Sequence, residues 1–172
     1  MPRWVLIACL VLAVLPARAT EGPALIARMF DTPALRGEAT FRWLGVPLYT
    51  ARFFTPDGQA LSWQKPAALQ LIYARDFSRQ SLVDATMSEL ERMEGTRADH
   101  AELAQKLVPC FRDVGEGDQF VAIATTTDEV QLYFNGAPTC QLRHAEINAR
   151  FLGIWLSDNS RAPELSRRLR GG

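Results

Sequence analysis

The chain has 172 residues, with 19 Lys and Arg balanced by 19 Asp and Glu and 48% apolar residues. Zero net charge offers no attraction to a phosphate backbone, which argues against a nucleic-acid partner. The length and apolar content suit one domain with a real core.

Residues 1–19 read as an export signal. Arg3 supplies a basic start, Val5 to Leu15 is an uncharged apolar run, Pro16 interrupts it, and Ala17-Arg18-Ala19 offers a small-x-small cleavage pattern. That apolar run is too short to span a bilayer, which takes about 20 residues. Leu6-Ile7-Ala8-Cys9 resembles a lipoprotein box, but the apolar stretch ahead of Cys9 is too short for one. Cleavage after Ala19 leaves 153 residues of formal charge −2, because Arg3 and Arg18 leave with the signal. No other stretch approaches transmembrane length, so no stable membrane span is expected after cleavage.

Cys9 also leaves, so Cys110 and Cys140 remain in an oxidising compartment, where such pairs tend to bridge. A disulfide there would close a loop of about 31 residues, worth roughly 3.5 kcal/mol on the chain-entropy view. Two independent buried thiols, or a pair of metal ligands, are the competing readings.

Residues 20–36 show no clear period and are expected to lead into the first strand. From Gly37 the chain reads as sheet: Ala39, Phe41 and Trp43 alternate with Thr40, Arg42 and Leu44, and a second strand runs from Val46 to Phe54. Pro47 inside it predicts a bulge or an edge. Pro56-Asp57-Gly58 is a turn, and Ala67 to Ala74 a third strand with Leu69, Leu71 and Tyr73 on one face. Ser78 caps a predicted helix from Arg79 to Glu94 that ends at Gly95. A second helix, from about Asp99 to Val108, stops at Pro109. Three strands follow, Phe120 to Thr126, Glu129 to Phe134 and Thr139 to Arg143, the last two joined by an Asn135-Gly136 hairpin turn. His144 to Leu156 is predicted as a helix. A last helix starts at Pro163 and Glu164 and closes on Arg167, Arg168 and Arg170. This order makes an α+β chain whose mainly antiparallel sheet is covered by helices on one face.

With these elements in place, the chain resembles the exported bacterial chalcone isomerase-like proteins. The similarity is carried by GEATFRWLGVPLYTARFF (37–54), ALQLIYARDFSRQSLVDATMSELERM (68–93), DVGEGDQFVAIATTTDEVQLYFNG (113–136) and FLGIWLSDNSRAPELSRRLRG (151–171). The resemblance implies an open-faced β-sandwich, a large antiparallel sheet against a helical layer, and a periplasmic address. True isomerases of this superfamily use an arginine, a threonine, a tyrosine, an asparagine and a late hydroxyl. Here the tyrosine position falls near Leu82 and the asparagine near Glu89. The arginine position falls at Phe41, with Arg42 one residue off and expected on the opposite strand face. The late hydroxyl falls in the apolar stretch Leu152 to Trp155. Without those groups a developing enolate has nothing aimed at it, so no catalytic residue is assigned. Relatives without the activity include fatty-acid binders. A small apolar or amphipathic ligand, such as a fatty acid, held between sheet and helices is therefore the leading expectation.

Four residues are candidates for touching it. Tyr73 and Arg75, two apart at a strand end, could share a face and hold a carboxylate, Arg75 bidentately and Tyr73 by a hydrogen bond. The structural alternative pairs Arg75 with Asp76, Glu89 or Asp118. Arg42 and Tyr49 could line the same cleft, or stand as an exposed arginine and a core tyrosine. His100 and His144 have no second ligand at metal spacing, and no haem or nucleotide motif exists, so no cofactor or metal is expected. His144 reads as a surface histidine, and Glu89 and Glu91 as a solvated helix face. Two other readings stay open: an intramolecular lyase acting on chalcone-like unsaturated carbonyls, which needs Arg42, Tyr49, Tyr73 or Arg75 to converge in one cleft, and an envelope interaction protein, whose sign would be an exposed apolar patch.

Overall fold

Six strands lie side by side in chain order, every neighbouring pair antiparallel. They are β1 (Pro33–Trp43), β2 (Val46–Pro56), β3 (Ala67–Tyr73), β4 (Gln119–Thr126), β5 (Glu129–Phe134) and β6 (Ala137–Arg143). The helices are α1 (Glu21–Met29), α2 (Arg79–Glu94), α3 (His100–Leu107), α4 (Gly153–Leu156) and α5 (Pro163–Leu169), with a π turn (Asn148–Leu152) leading into α4. The computed structural model describes residues 21–172, and the export signal expected over residues 1–19 lies outside the described residues. The result is an α+β open-faced sandwich.

Strand alternation sets the two faces. Ala67, Leu69, Leu71 and Tyr73 of β3, with Phe120, Ala122 and Ala124 of β4, join a core shared with Val83 and Leu90 of α2, Leu103 and Leu107 of α3, and Leu152, Trp155 and Leu156. The in-between residues Ala68, Val121 and Ile123 point the other way and are buried as well, under Leu25, Ile26 and Phe30. So the central strands are covered on both sides, which corrects the expectation that helices cover one face only. The cover is α1, in the stretch read from sequence as an aperiodic lead-in. Its stripe is short, and a nine-residue helix is marginal without tertiary packing. It lies close on the sheet: a Cβ on Gly22 would stand 2.1 Å from Gln70 Nε2.

Helix ends follow their caps. Ser78 Oγ accepts from the Ser81 N–H at the start of α2, and Gly95, at φ 72°, ends it. Pro163 opens α5, as expected. The C-terminal turn of α5 lies so close to β1 that a Cβ at Gly37 would meet the Arg168 carbonyl oxygen at 2.0 Å. Arg36 locks that contact by donating to the carbonyls of Gly58 and Arg170.

Cys110, just past α3, and Cys140, in the edge strand β6, are joined by a disulfide with Cα atoms 5.0 Å apart. The region predicted as one helix from His144 differs. His144 lies outside any helix, and five residues form the π turn before α4. The wider turn sends Arg150 toward Glu94 and Asp99 while Phe151 and Trp155 stay in the core.

His144 is also not a surface residue. Its side chain is 7% exposed, and its Nε2 lies 3.0 Å from Asp99 Oδ2. Asp99 also receives Arg150 Nη1 at 2.9 Å, Arg150 reaches Glu94 at 2.6 Å, and His100 Nε2 meets Glu94 at 2.7 Å. Neither histidine announces this partner in sequence, because the carboxylates come from the end of α2 and the α2–α3 connection. Hydrogen bonds from His144 and then Arg150 hold the Asp99 carboxyl well below its usual range. For Glu94 burial opposes ionisation, but Arg150 and His100 outweigh it and its pKa is lowered too. Among the described residues no group of three His, Cys, Asp or Glu is placed to hold a metal ion.

Candidate functional site

Between the helix-facing side of the sheet and α2, α4 and α5 lies a cavity of about 450 Å³. Leu69, Leu71, Ala122 and Leu132 rise from the strands to form its floor, and the small Ala122 leaves depth among larger neighbours. Aromatic rings brace its walls. Phe41 stacks on Tyr49 at 5.0 Å, Tyr49 tilts against Tyr73 at 6.0 Å, and Tyr73 meets Phe120 edge-on at 6.4 Å. Opposite them Phe151 and Trp155 meet at 5.6 Å. Rings held by several neighbours cannot swing inward to fill the space.

The polar groups are few. Tyr49 Oη accepts a hydrogen bond from Trp155 Nε1 at 3.0 Å, across 106 residues of chain. Burial pushes the Tyr49 pKa up to about 12, with the Trp155 hydrogen bond only partly opposing it. Tyr73 is 4% exposed, and its hydroxyl has no hydrogen-bond partner among the described residues. Burial, and then the neighbouring Tyr49, raise its pKa far above the ordinary phenol value. Both rings are therefore neutral hydrogen-bond donors at physiological pH.

The exposed lining residues Arg42, Trp43, Ser81, Ala85 and Arg161 mark the mouth. Arg42 donates to the Gly45 carbonyl at 3.2 Å. Glu89 lines the wall and accepts from Arg92 at 2.9 Å and from Arg161 Nε at 2.6 Å. It is thus a cavity-wall residue held by two guanidiniums, which corrects its reading as part of a solvated helix face.

Of the four candidates, Arg42, Tyr49 and Tyr73 border the cavity and Arg75 does not. Strand β3 ends at Tyr73, so the alternation that would put Arg75 on the same face has already stopped. Arg75 is exposed, and it makes no ion pair with Asp76, Glu89 or Asp118. Arg42 borders the cavity as a candidate should, and not from the strand face opposite Phe41. A register shift between Phe41 and Arg42 pairs Phe41 with Tyr49 and Arg42 with Pro47, leaving Leu48 as the extra residue. The bulge falls on β2 at the proline that signalled one, and Phe41, Arg42 and Trp43 at the end of β1 all border the cavity.

The positions carried over from isomerases also arrive here. Leu82 and Glu89 line the cavity from α2, and Ile154 and Trp155 from α4. Trp155 was legible only as a stripe residue of a core helix. No local signal could reveal its role as donor to Tyr49, since that depends on two distant segments packing together.

The family profile of the chalcone isomerase-like proteins matches residues 33–171, and the chain belongs to that family. An uncharacterized protein of Haemophilus influenzae is 24% identical over 135 residues, covering 78% of this chain and 66% of that protein's length. The crystal structure of a fatty-acid binding protein of Arabidopsis thaliana superposes with a TM-score of 0.63 at 10% identity, over 82% of this chain and 88% of that one. At that identity the likeness speaks for the fold.

Proposed function

We propose that this protein is a non-catalytic member of its family that holds a small apolar or amphipathic molecule, a fatty acid first among the candidates, in the cavity between sheet and helices. The observation that carries this reading is the cavity itself. Its volume of about 450 Å³ falls within the roughly 300–1,000 Å³ of small-molecule sites, and its lining is mostly apolar with few convergent polar groups. The name of the Arabidopsis neighbour points the same way. An acyl chain would lie over Leu69, Leu71 and Leu132, with its polar end toward Arg42 or the tyrosine hydroxyls. The signal pattern of residues 1–19 supports export, and periplasmic residence is part of the proposal.

Native mass spectrometry of protein purified from its own host tests the reading, together with displacement of a fluorescent fatty acid. A retained lipid and saturable displacement are expected. Leu82→Trp, which adds bulk to the cavity wall, should weaken displacement at least tenfold with an unchanged circular dichroism spectrum. An empty protein without fatty-acid affinity overturns the proposal.

One observation favours a second reading. Arg42, Tyr49 and Tyr73 do converge on one cavity, as an intramolecular lyase would require. Against it, burial moves Tyr49 away from the pKa near 7 that serves acid–base chemistry best, and Leu82 brings no hydroxyl. Incubation with a chalcone, followed optically, separates the two: a rate above buffer favours the lyase.

A further inference from the structure

Two hairpins of the sheet close with the same kind of turn and opposite chemistry. Between β5 and β6, Asn135 and Gly136 take φ of 47° and 79°. Asparagine tolerates the left-handed region, and this one is put to use: its Oδ1 accepts from the Gln119 N–H, and its Nδ2 donates to Asp118. Between β1 and β2, Leu44 and Gly45 take φ of 48° and 81°. Leucine is disfavoured there because its Cβ crowds the backbone. Nor does the fold bury it: the residue is 89% exposed. Trp43 and Val46, the last cross-strand pair before the turn, are 63% and 40% exposed. Folding explains neither the residue types nor their exposure.

The position of this tip is informative. Trp43, Arg42 and Leu48 border the cavity mouth, so the apolar tip continues into the apolar hollow. Two guanidiniums stand behind it. Arg42 donates only to the Gly45 carbonyl, and neither it nor Arg75 has a carboxylate partner among the described residues. The Ala74 N–H donates to the Leu48 carbonyl at 2.9 Å, which sets Arg75 beside the base of the hairpin.

We propose that the β1–β2 tip docks on a lipid surface carrying anionic headgroups. Trp43, Leu44 and Val46 enter the interfacial region, while Arg42 and Arg75 meet the phosphates. The cavity mouth is then seated against the bilayer, and an apolar ligand passes between them without crossing water; this last step rests on the ligand-binding reading above, whereas docking does not. A tip of three side chains falls well short of the roughly 800 Å² per partner that a standard protein interface buries. Aromatic and aliphatic side chains backed by basic ones, in contrast, match the chemistry of the membrane interface.

The experiment measures flotation of the protein with vesicles of phosphatidylcholine plus phosphatidylglycerol, alongside tryptophan emission. Binding with a blue shift is expected, weaker on phosphatidylcholine alone. The double variant Leu44→Asn, Val46→Thr should lose more than about tenfold in partitioning. Its thermal midpoint should not fall, since asparagine suits the turn, and its fatty-acid affinity in vesicle-free solution should be unchanged. Arg75→Gln should lose about fivefold on anionic vesicles only. No vesicle binding by the parent, or equal binding by the double variant, overturns the proposal. A dimer in sedimentation that the double variant abolishes, without vesicle binding, overturns it too and assigns the tip to self-association. Docking without fatty-acid affinity would sink the ligand reading and leave the docking surface standing.

Discussion

The helix-facing layer has two halves built on one sheet, and they differ in how completely they are filled. Under α3 and beside β6 the chain packs solidly: Leu103, Leu107 and Leu142 are almost wholly buried, the Cys110–Cys140 bridge ties the end of α3 to the edge strand, and Arg150 anchors the π turn to Glu94 and Asp99. Under α2, α4 and α5, over β1–β3 and reaching Ala122 and Leu132 of β4 and β5, aromatic rings hold a hollow open. The disulfide and the buried Arg150 cluster gather where the layer is closed, while the open half relies on rigid rings, the Tyr49–Trp155 hydrogen bond and the Glu89 ion pairs at its mouth. The difference suggests a division of labour in which one half holds the fold and the other leaves room for a guest.

The comparison can be broken by equal truncations on each side. Leu103→Ala, with no exposure and close neighbours, should cost roughly 3 to 5 kcal/mol. Leu82→Ala, on a wall already facing empty space, should cost about 1 kcal/mol. Urea midpoints at constant m-value measure both, and equal losses would erase the distinction. Next in size, Cys140→Ser should lower stability by about 3 kcal/mol with fatty-acid affinity retained, because the bridge lies in the filled half. A smaller effect concerns pH. The pKa values of Glu94 and Asp99 are lowered by folding, so their stabilising contribution is present above the ordinary carboxylate range. It fades as pH falls from about 5 through the lowered folded values. The urea midpoint should drop over that range, and Glu94→Gln should flatten the drop; an unaltered slope would show that the ionic cluster is not coupled to folding.

Much of the scaffold was legible because it is written locally. Ser78 and Gly95 bound α2, Asn135-Gly136 bound β5 and β6, and Pro163 opens α5, each by a preference acting within a few residues. Helix α1 was not, since Leu25 and Ile26 form its buried stripe only by packing on Ala68, Val121 and Ile123. Of the site, Arg42, Tyr49 and Tyr73 were named from the sequence and all three border the cavity, although Arg42 was also expected on the face opposite Phe41. Arg75 lies outside the cavity lining because its strand stops two residues earlier. His144 and Glu89 found their partners on other elements and could not declare them.

Composition, periodicity and caps by themselves determined an antiparallel sheet with helices, and the order of the matched segments determined the family. Tertiary structure alone decided that α1 covers the second face, that Phe41 and Arg42 both stand at the cavity, that Trp155 donates to Tyr49, and that the helical layer leaves a hollow. The physical reason is range. Backbone preferences and caps act over a few neighbouring residues, whereas a cavity exists only where side chains far apart in the chain meet and fail to fill the space between them.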